Sequence, residues 1–199
     1  NAWIRILIDN AKNASGKGEV AAYLQKKGFI YFSLSDELRA EAKEKSIKIT
    51  RENLIKLGNE LRKKFGADYL AKKINEKIMK NKNNFVVDSI RNLGEVEELR
   101  KNEEFILVAV DAPIGLRFQR AVKRGREGDA KTLEEFKKLE ERENFKNKTR
   151  QQLNECINAA DKLIINDGTL KDLYKKIEQI IKWQREQAGK NILWILQSK

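Results

Sequence analysis

A lysine set between two glycines, in Ser15-Gly16-Lys17-Gly18-Glu19, follows a short apolar run and leads into a helix-like stretch. Glycine lets a backbone pass close to oxygen atoms or take positive φ. A turn of this kind aims successive N–H groups inward at the start of a helix, and an ammonium group beside it neutralises phosphate charge. The chemistry on offer is phosphate binding, with Asn13, Ala14, Ser15, Gly16, Lys17, Gly18 and Glu19 as donor-phosphate candidates. Against the pattern G-x-x-x-x-G-K-[ST] the stretch departs twice. Ala11 stands at the first glycine, and Gly18 replaces the hydroxyl that would touch a metal.

Other residues of the right type recur downstream. Arg39, in "SLSDELRAEA" (33–42), carries a guanidinium that can pair bidentately with a phosphate monoester. Asp88, in "FVVDSIRN" (85–92), is placed to hold hydrated Mg²⁺, with Asp111 as the alternative and Arg91 three residues on. "RGREGD" (124–129) is a glycine-punctuated arginine turn; of Arg120, Arg124, Arg126 and Arg142, the favoured pair is Arg124 and Arg126. Asp167, Gly168 and Thr169, in "INDGTLKDL" (165–173), follow the last apolar run, and Thr169 is a candidate helix cap.

Composition narrows the chemistry. The 199 residues include no histidine and one cysteine, Cys156, which excludes an internal disulfide, the usual zinc site and any histidine-based triad. A formal charge of +12 implies anionic partners: phosphorylated small molecules, nucleic acid or acidic membrane surfaces. Nucleic acid is the less favoured, because no basic strand is interleaved with aromatic residues. No apolar stretch approaches the roughly 20 residues of a bilayer span, and the start of the chain lacks a secretory pattern, so no membrane partner and a cytoplasmic location are expected.

The elements that must position these residues alternate. Apolar runs at 3–8, 29–34, 85–87, 105–110 and 162–166 lack polar alternation, as strands covered on both faces do. Helical patterns lie near 18–27, 35–45, 51–65, 67–81, 94–102, 113–124, 132–144, 149–160 and 169–187, with Ser35, Thr50 and Thr132 as expected caps. Pro113 fits a first helical turn. This order predicts a single α/β domain of three layers over 1–199. The stretch 188–199 is expected to pack back on the body as a terminal strand or helix, with a partner or dimer contact as the alternative; the oligomer expected is a monomer or homodimer.

The series "SGKGE", "SDELRAEA", "DSIRNLGEVEELR", "RGREGDAKTLEEF" and "ADKLIINDGTLKDL" resembles, over nearly residues 4–180, the adenylate-kinase-like P-loop proteins that stand near dephospho-CoA kinases. The resemblance implies a three-layer P-loop kinase fold around a five-stranded parallel sheet, a helical acceptor-binding insert over 35–81 and a short LID over 120–145. It makes Gly18 a feature shared with adenylate kinases. It implies ATP and Mg²⁺, with Lys17, Asp88, Arg124 and Arg126 catalytic, Asp88 holding the metal through water, and Asp167, Gly168 and Thr169 bordering the base of ATP. Ser35, Arg39, Arg62 and Arg91 would bind the acceptor, with Thr50 and Arg51 nearby in the insert. The acceptor implied is a nucleoside monophosphate, with dephospho-CoA as the alternative because "TRENLIKLG" is similar to a stretch of those kinases. Two readings of other classes stay open: a slow ATP-binding regulatory module, motivated by Ala11 and Gly18, and an RNA-associated ATPase.

Overall fold

The computed structural model describes residues 4–9, 12–102, 105–125, 129–143 and 152–197. In chain order the elements are β1 (Arg5–Asp9), α1 (Lys17–Lys26), β2 (Ile30–Ser33), α2 (Leu34–Glu44), α3 (Arg51–Phe65), α4 (Tyr69–Met79), β3 (Phe85–Ile90) and α5 (Leu93–Arg100). There follow β4 (Phe105–Asp111), α6 (Ile114–Arg124), α7 (Leu133–Glu143), α8 (Leu153–Asn158), β5 (Lys162–Ile165) and α9 (Leu170–Gln197). The five strands form one sheet in the order β2-β3-β1-β4-β5, every pair parallel.

Both faces of this sheet are apolar because successive strand side chains point opposite ways. Leu7, Phe85, Val87, Phe105 and Leu107 face one buried cluster with α2 to α5 and α8. Ile6, Ile8, Val86, Val108, Val110 and Ile164 face the other, with α1 and α9. That is why the strands read as apolar runs without alternation. Helices 34–79 share the first cluster with the sheet through Leu38, Leu57, Leu61, Ile74 and Ile78. A third, small cluster joins Ala121 of α6 to Phe136 of α7.

Caps set several boundaries. Thr50 accepts a hydrogen bond from the Asn53 amide at the start of α3, and Thr132 accepts one from the Glu135 amide at α7. Ser35 is not a cap: α2 begins one residue earlier, with Ser33 at the capping position. Nor does the last helix stop at 187. Gly189 lies inside α9, which runs on to Gln197, so the expected separate tail is a continuation of that helix. Among the described residues no helix is long and apolar enough to cross a membrane.

β3 extends to Ile90, beyond the 85–87 run, and is irregular there. Leu7 pairs with Val87 but Asp9 with Ile90, so Asp88 and Ser89 together oppose Ile8. Ser89 takes a left-handed φ of 66°. A bulge of this kind re-aims side chains that a regular strand would send to opposite faces.

Below the bulge, Arg62 of α3 is 4% exposed and donates from Nε and Nη2 to Glu95 Oε1 at 3.1 and 2.8 Å. Glu95, fully buried on α5, accepts the Arg91 backbone N–H on its other oxygen at 2.8 Å. The expected acceptor role of Arg62 is corrected by this placement, since its guanidinium is committed inside the fold. Replacing one partner of a buried pair leaves the other charge uncompensated. Arg62→Met is expected to destabilise the protein by about 3–5 kcal/mol in urea unfolding.

Candidate functional site

A cleft of about 1090 Å³ crosses the carboxyl ends of the strands. It is lined at one end by residues 13–19, Arg120, Lys123, Arg124, Asn166 and Gly168. The other end is lined by Tyr31, Ser33, Ser35, Asp36, Arg39, Asp88, Ser89 and Arg91, and by Ile49, Leu54 and Ile55 from the segment around the start of α3. Ligands of open α/β sheets bind at such a position, where the strand order reverses. Seven cationic side chains face four carboxylates across it, an excess that suits multiply charged anions.

The phosphate loop is built on two left-handed residues, Ala14 with φ 58° and Gly16 with φ 105°. Gly16 leads directly into α1, and residues 15–19 line the cleft. A Cβ on Gly16 would overlap the side-chain amide nitrogen of Asn166. That amide donates to the Ser15 carbonyl at 2.8 Å, and Ser15 is fully buried. Left-handed backbone costs an alanine roughly 1–2 kcal/mol, so Ala14 is held there by its surroundings. Its methyl packs against the α6–α7 cluster. Lys17 Nζ turns back to donate to the Lys12 carbonyl, and lies 3.4 Å from Ser15 Oγ. Ala11 lies outside the described residues.

At the sheet centre, Asp88 and Ser89 both line the cleft, as the bulge allows. Ser33 Oγ donates to Ser89 Oγ at 3.2 Å. The Oδ1 atom of Asp88 is buried without a hydrogen-bond partner. Burial pushes the Tyr31 phenol up, and the Asp88 carboxylate beside it adds to the rise, so Tyr31 stays protonated. Asp111 is placed differently. Its Oδ1 accepts from the Ala112 amide at 2.7 Å and lies 3.6 Å from Arg117 Nε, outside the cleft. Asp88 is thus the carboxylate whose setting fits a hydrated cation. Among the described residues there is no cluster of three acidic, cysteine or histidine side chains, so a cation here would keep most of its waters.

The arginines divide by partner. Arg39 pairs with exposed Asp36 at 2.8 Å. Arg91 has its backbone fixed on both sides, by Glu95 and by the Gln152 amide, which donates to its carbonyl at 2.7 Å. Arg124 pairs with Asp129 at 2.9 Å and reaches Asn13 Oδ1 at 3.3 Å. Arg120 donates through Nη2 to the Asn166 carbonyl, while its Nη1 is buried with no partner, a donor suited to an anion. Arg126 lies outside the described residues, as does the side chain of Arg142.

At the far lip, Gly168 lines the cleft but Asp167 does not; its carboxylate is held low by a hydrogen bond from Lys176, 3.0 Å away. Thr169 caps α9, accepting from the Asp172 amide at 3.2 Å. Asn166, one residue before Asp167, was open to detection only as an amide side chain at the end of the fifth strand. Ser89 gave no signal, because nothing in a local pattern announces a bulge.

The AAA domain family matches residues 13–137. A UPF0200 protein of Pyrococcus abyssi is 36% identical over 89% of this chain and 95% of its own length. The chain belongs to the AAA domain family and to UPF0200. It also aligns, at 35% identity, with 52% of the length of a UPF0200/UPF0201 protein of Archaeoglobus fulgidus, so it spans about half of that relative. Among solved structures, a gluconokinase from Sinorhizobium meliloti superposes with a TM-score of 0.57, at 13% identity, over 96% of this chain and 98% of that one. A shikimate kinase from Acinetobacter baumannii superposes with a TM-score of 0.52, at 17% identity, over 90% and 93%. At these identities the likeness is one of fold: the P-loop kinase-like sheet with helices on both sides.

The geometry separates two adjacent glycines. Gly16 combines positive φ with the Asn166 contact, whereas a Cβ on Gly18 would meet open space. Gly16→Ala is expected to lower stability by about 1–3 kcal/mol and Gly18→Ala by less than about 1, read by thermal melts of both.

Proposed function

We propose that this UPF0200 protein is a phosphotransferase that moves the γ-phosphoryl group of ATP to a small acceptor that is already phosphorylated, a nucleoside monophosphate before dephospho-CoA. The observation that carries this reading is one continuous cleft with the Lys17 loop at one end and Arg39 and Arg91 at the other. A neutral acceptor would leave that second group of cations without a purpose.

In this reading the loop amides of residues 15–18 and Lys17 hold the donor phosphates. Lys17 leaves the Lys12 carbonyl for them. Asp88, with its unpartnered oxygen, would hold hydrated Mg²⁺, which supplies charge neutralisation on the donor. Arg39 and Arg91 orient the acceptor phosphate, one of whose oxygens bonds to phosphorus as the bond to the bridging oxygen of ADP breaks. Arg120 and Arg124 face the charge that spreads over the transferring group. An acceptor phosphate needs no strong general base, in keeping with a chain without histidine. Kinase names among the fold neighbours support the reaction class and leave the acceptor open. We assign the LID role to the α6–α7 pair and the acceptor wall to α2–α4.

A slow, regulatory ATP-binding protein is the second reading, favoured by one observation: the loop keeps an alanine in left-handed backbone and has no hydroxyl after Lys17. One experiment decides. ADP release is measured over a panel of ribo- and deoxynucleoside monophosphates, dephospho-CoA, gluconate and shikimate. A monophosphate is expected to be turned over, with Lys17→Ala slowing it about 10²–10³-fold. Turnover of a hydroxy acid that carries no phosphate instead would overturn the acceptor assignment, and ATP binding without any turnover would select the regulatory reading.

A further inference from the structure

Arg117 has a place that phosphate chemistry does not use. It sits on the first turns of α6, is 3% exposed, and lies outside the cleft lining. Its Nε donates to the Ala112 carbonyl at 2.8 Å. Nη1 and Nη2 take the Glu140 carboxylate of α7 bidentately at 2.6 and 3.0 Å, with the guanidinium over the Phe136 ring. Nη1 also donates to the backbone carbonyl of Asn13, at 3.4 Å. Seven residues on along α6, Arg124 takes the side-chain oxygen of the same asparagine. The methyl of Ala14, in its left-handed conformation, packs on the cluster formed by Ala121, Ala130 and Phe136.

The α6–α7 pair therefore touches the phosphate loop at Asn13 and Ala14, and the second of these is a residue in left-handed backbone. A glycine loop needs no such support, since glycine takes left-handed φ at little cost. We propose that Arg117 is a positioning residue that keeps the phosphate loop in its binding shape, by fixing the Asn13 carbonyl while anchored to α7, and so offsets the cost of left-handed backbone at Ala14. The α6–α7 pair is then a support of the donor site as well as its cover. This rests on the phosphate-loop part of the proposed function and not on the identity of the acceptor.

The test compares Arg117→Met with Glu140→Gln in the full chain. Both lose the ion pair to α7, but only the first loses the bond to Asn13. Amide hydrogen exchange of residues 14–17 without ligand is expected to quicken about tenfold or more in Arg117→Met, and to stay within about twofold of the parent in Glu140→Gln. ATP affinity by calorimetry should follow the same order, weakening about tenfold only in Arg117→Met, with Arg117→Lys between the two. Unchanged exchange at 14–17 in Arg117→Met, or equal quickening in both variants, would overturn the proposal, the second because the loop would then only report lost packing of α7. Should the parent protein bind no ATP, the phosphotransfer reading fails by itself, and the exchange comparison still decides the role of Arg117.

Discussion

The position of β1 between β3 and β4 governs the rest of the molecule. Because the chain leaves β1 into α1, returns on one side through β2 and β3, and then crosses to β4 and β5 on the other, the order β2-β3-β1-β4-β5 places a reversal beside the end of β1. The loop at 12–16 opens into that reversal, with no strand crossing above it. Burial on both faces fixes the arrangement: Leu7 in one apolar cluster and Ile6 and Ile8 in the other leave β1 no alternative register that keeps all three out of water. Everything chemical follows from what the neighbouring strands carry at their carboxyl ends, namely Asp88 and Ser89 on β3 and Asn166 just beyond β5.

Those neighbours also decide the shape of the loop. A free loop in left-handed backbone at Ala14 and Gly16 would relax. Here the Asn166 amide holds the Ser15 carbonyl from the β5 side, and Arg117 and Arg124 hold Asn13 from the α6 side. The loop is thus spanned from two elements distant in sequence, and its strain is offset by bonds that form only when the sheet is complete. Folding and the readiness of the phosphate site are one event in such a design.

How far the sequence discloses this depends on the range of the interaction. Strands, helices and the caps at Thr50, Thr132 and Thr169 rest on local patterns, and they were legible within a few residues. The glycine-lysine turn and Arg39, Asp88, Arg91 and Arg124 were legible as types of residue, and all of them line the cleft. The bulge at Asp88–Ser89 was not, because it is a mismatch between two strands and neither alone encodes it. The Asn166–Ser15 bond spans 151 residues, and no periodicity reports a contact of that range. The course of α9 past Gly189 was misread for the opposite reason: a single glycine in a helix costs only about 1 kcal/mol, too little to stop an otherwise continuous pattern.

The arginines show why residue type alone cannot assign a role. Arg39 and Arg62 both lie on helices after the second strand, and both make an ion pair. The partner of Arg39 is Asp36, whose side chain is 64% exposed, and a pair of that kind contributes at most about 1 kcal/mol. A phosphate can take the guanidinium and leave Asp36 to water at little cost. The partner of Arg62 is Glu95, which has no exposure at all, so removing the guanidinium would strand a buried charge. Arg117 is a third case: its carboxylate partners Glu140 and Asp111 are 19% and 30% exposed, and its other bonds go to the backbone carbonyls of Ala112 and Asn13. Between Arg39 and Arg62, the burial of the counter-carboxylate, more than the position of the arginine, separates a guanidinium that can exchange its partner for a ligand from one that holds the fold.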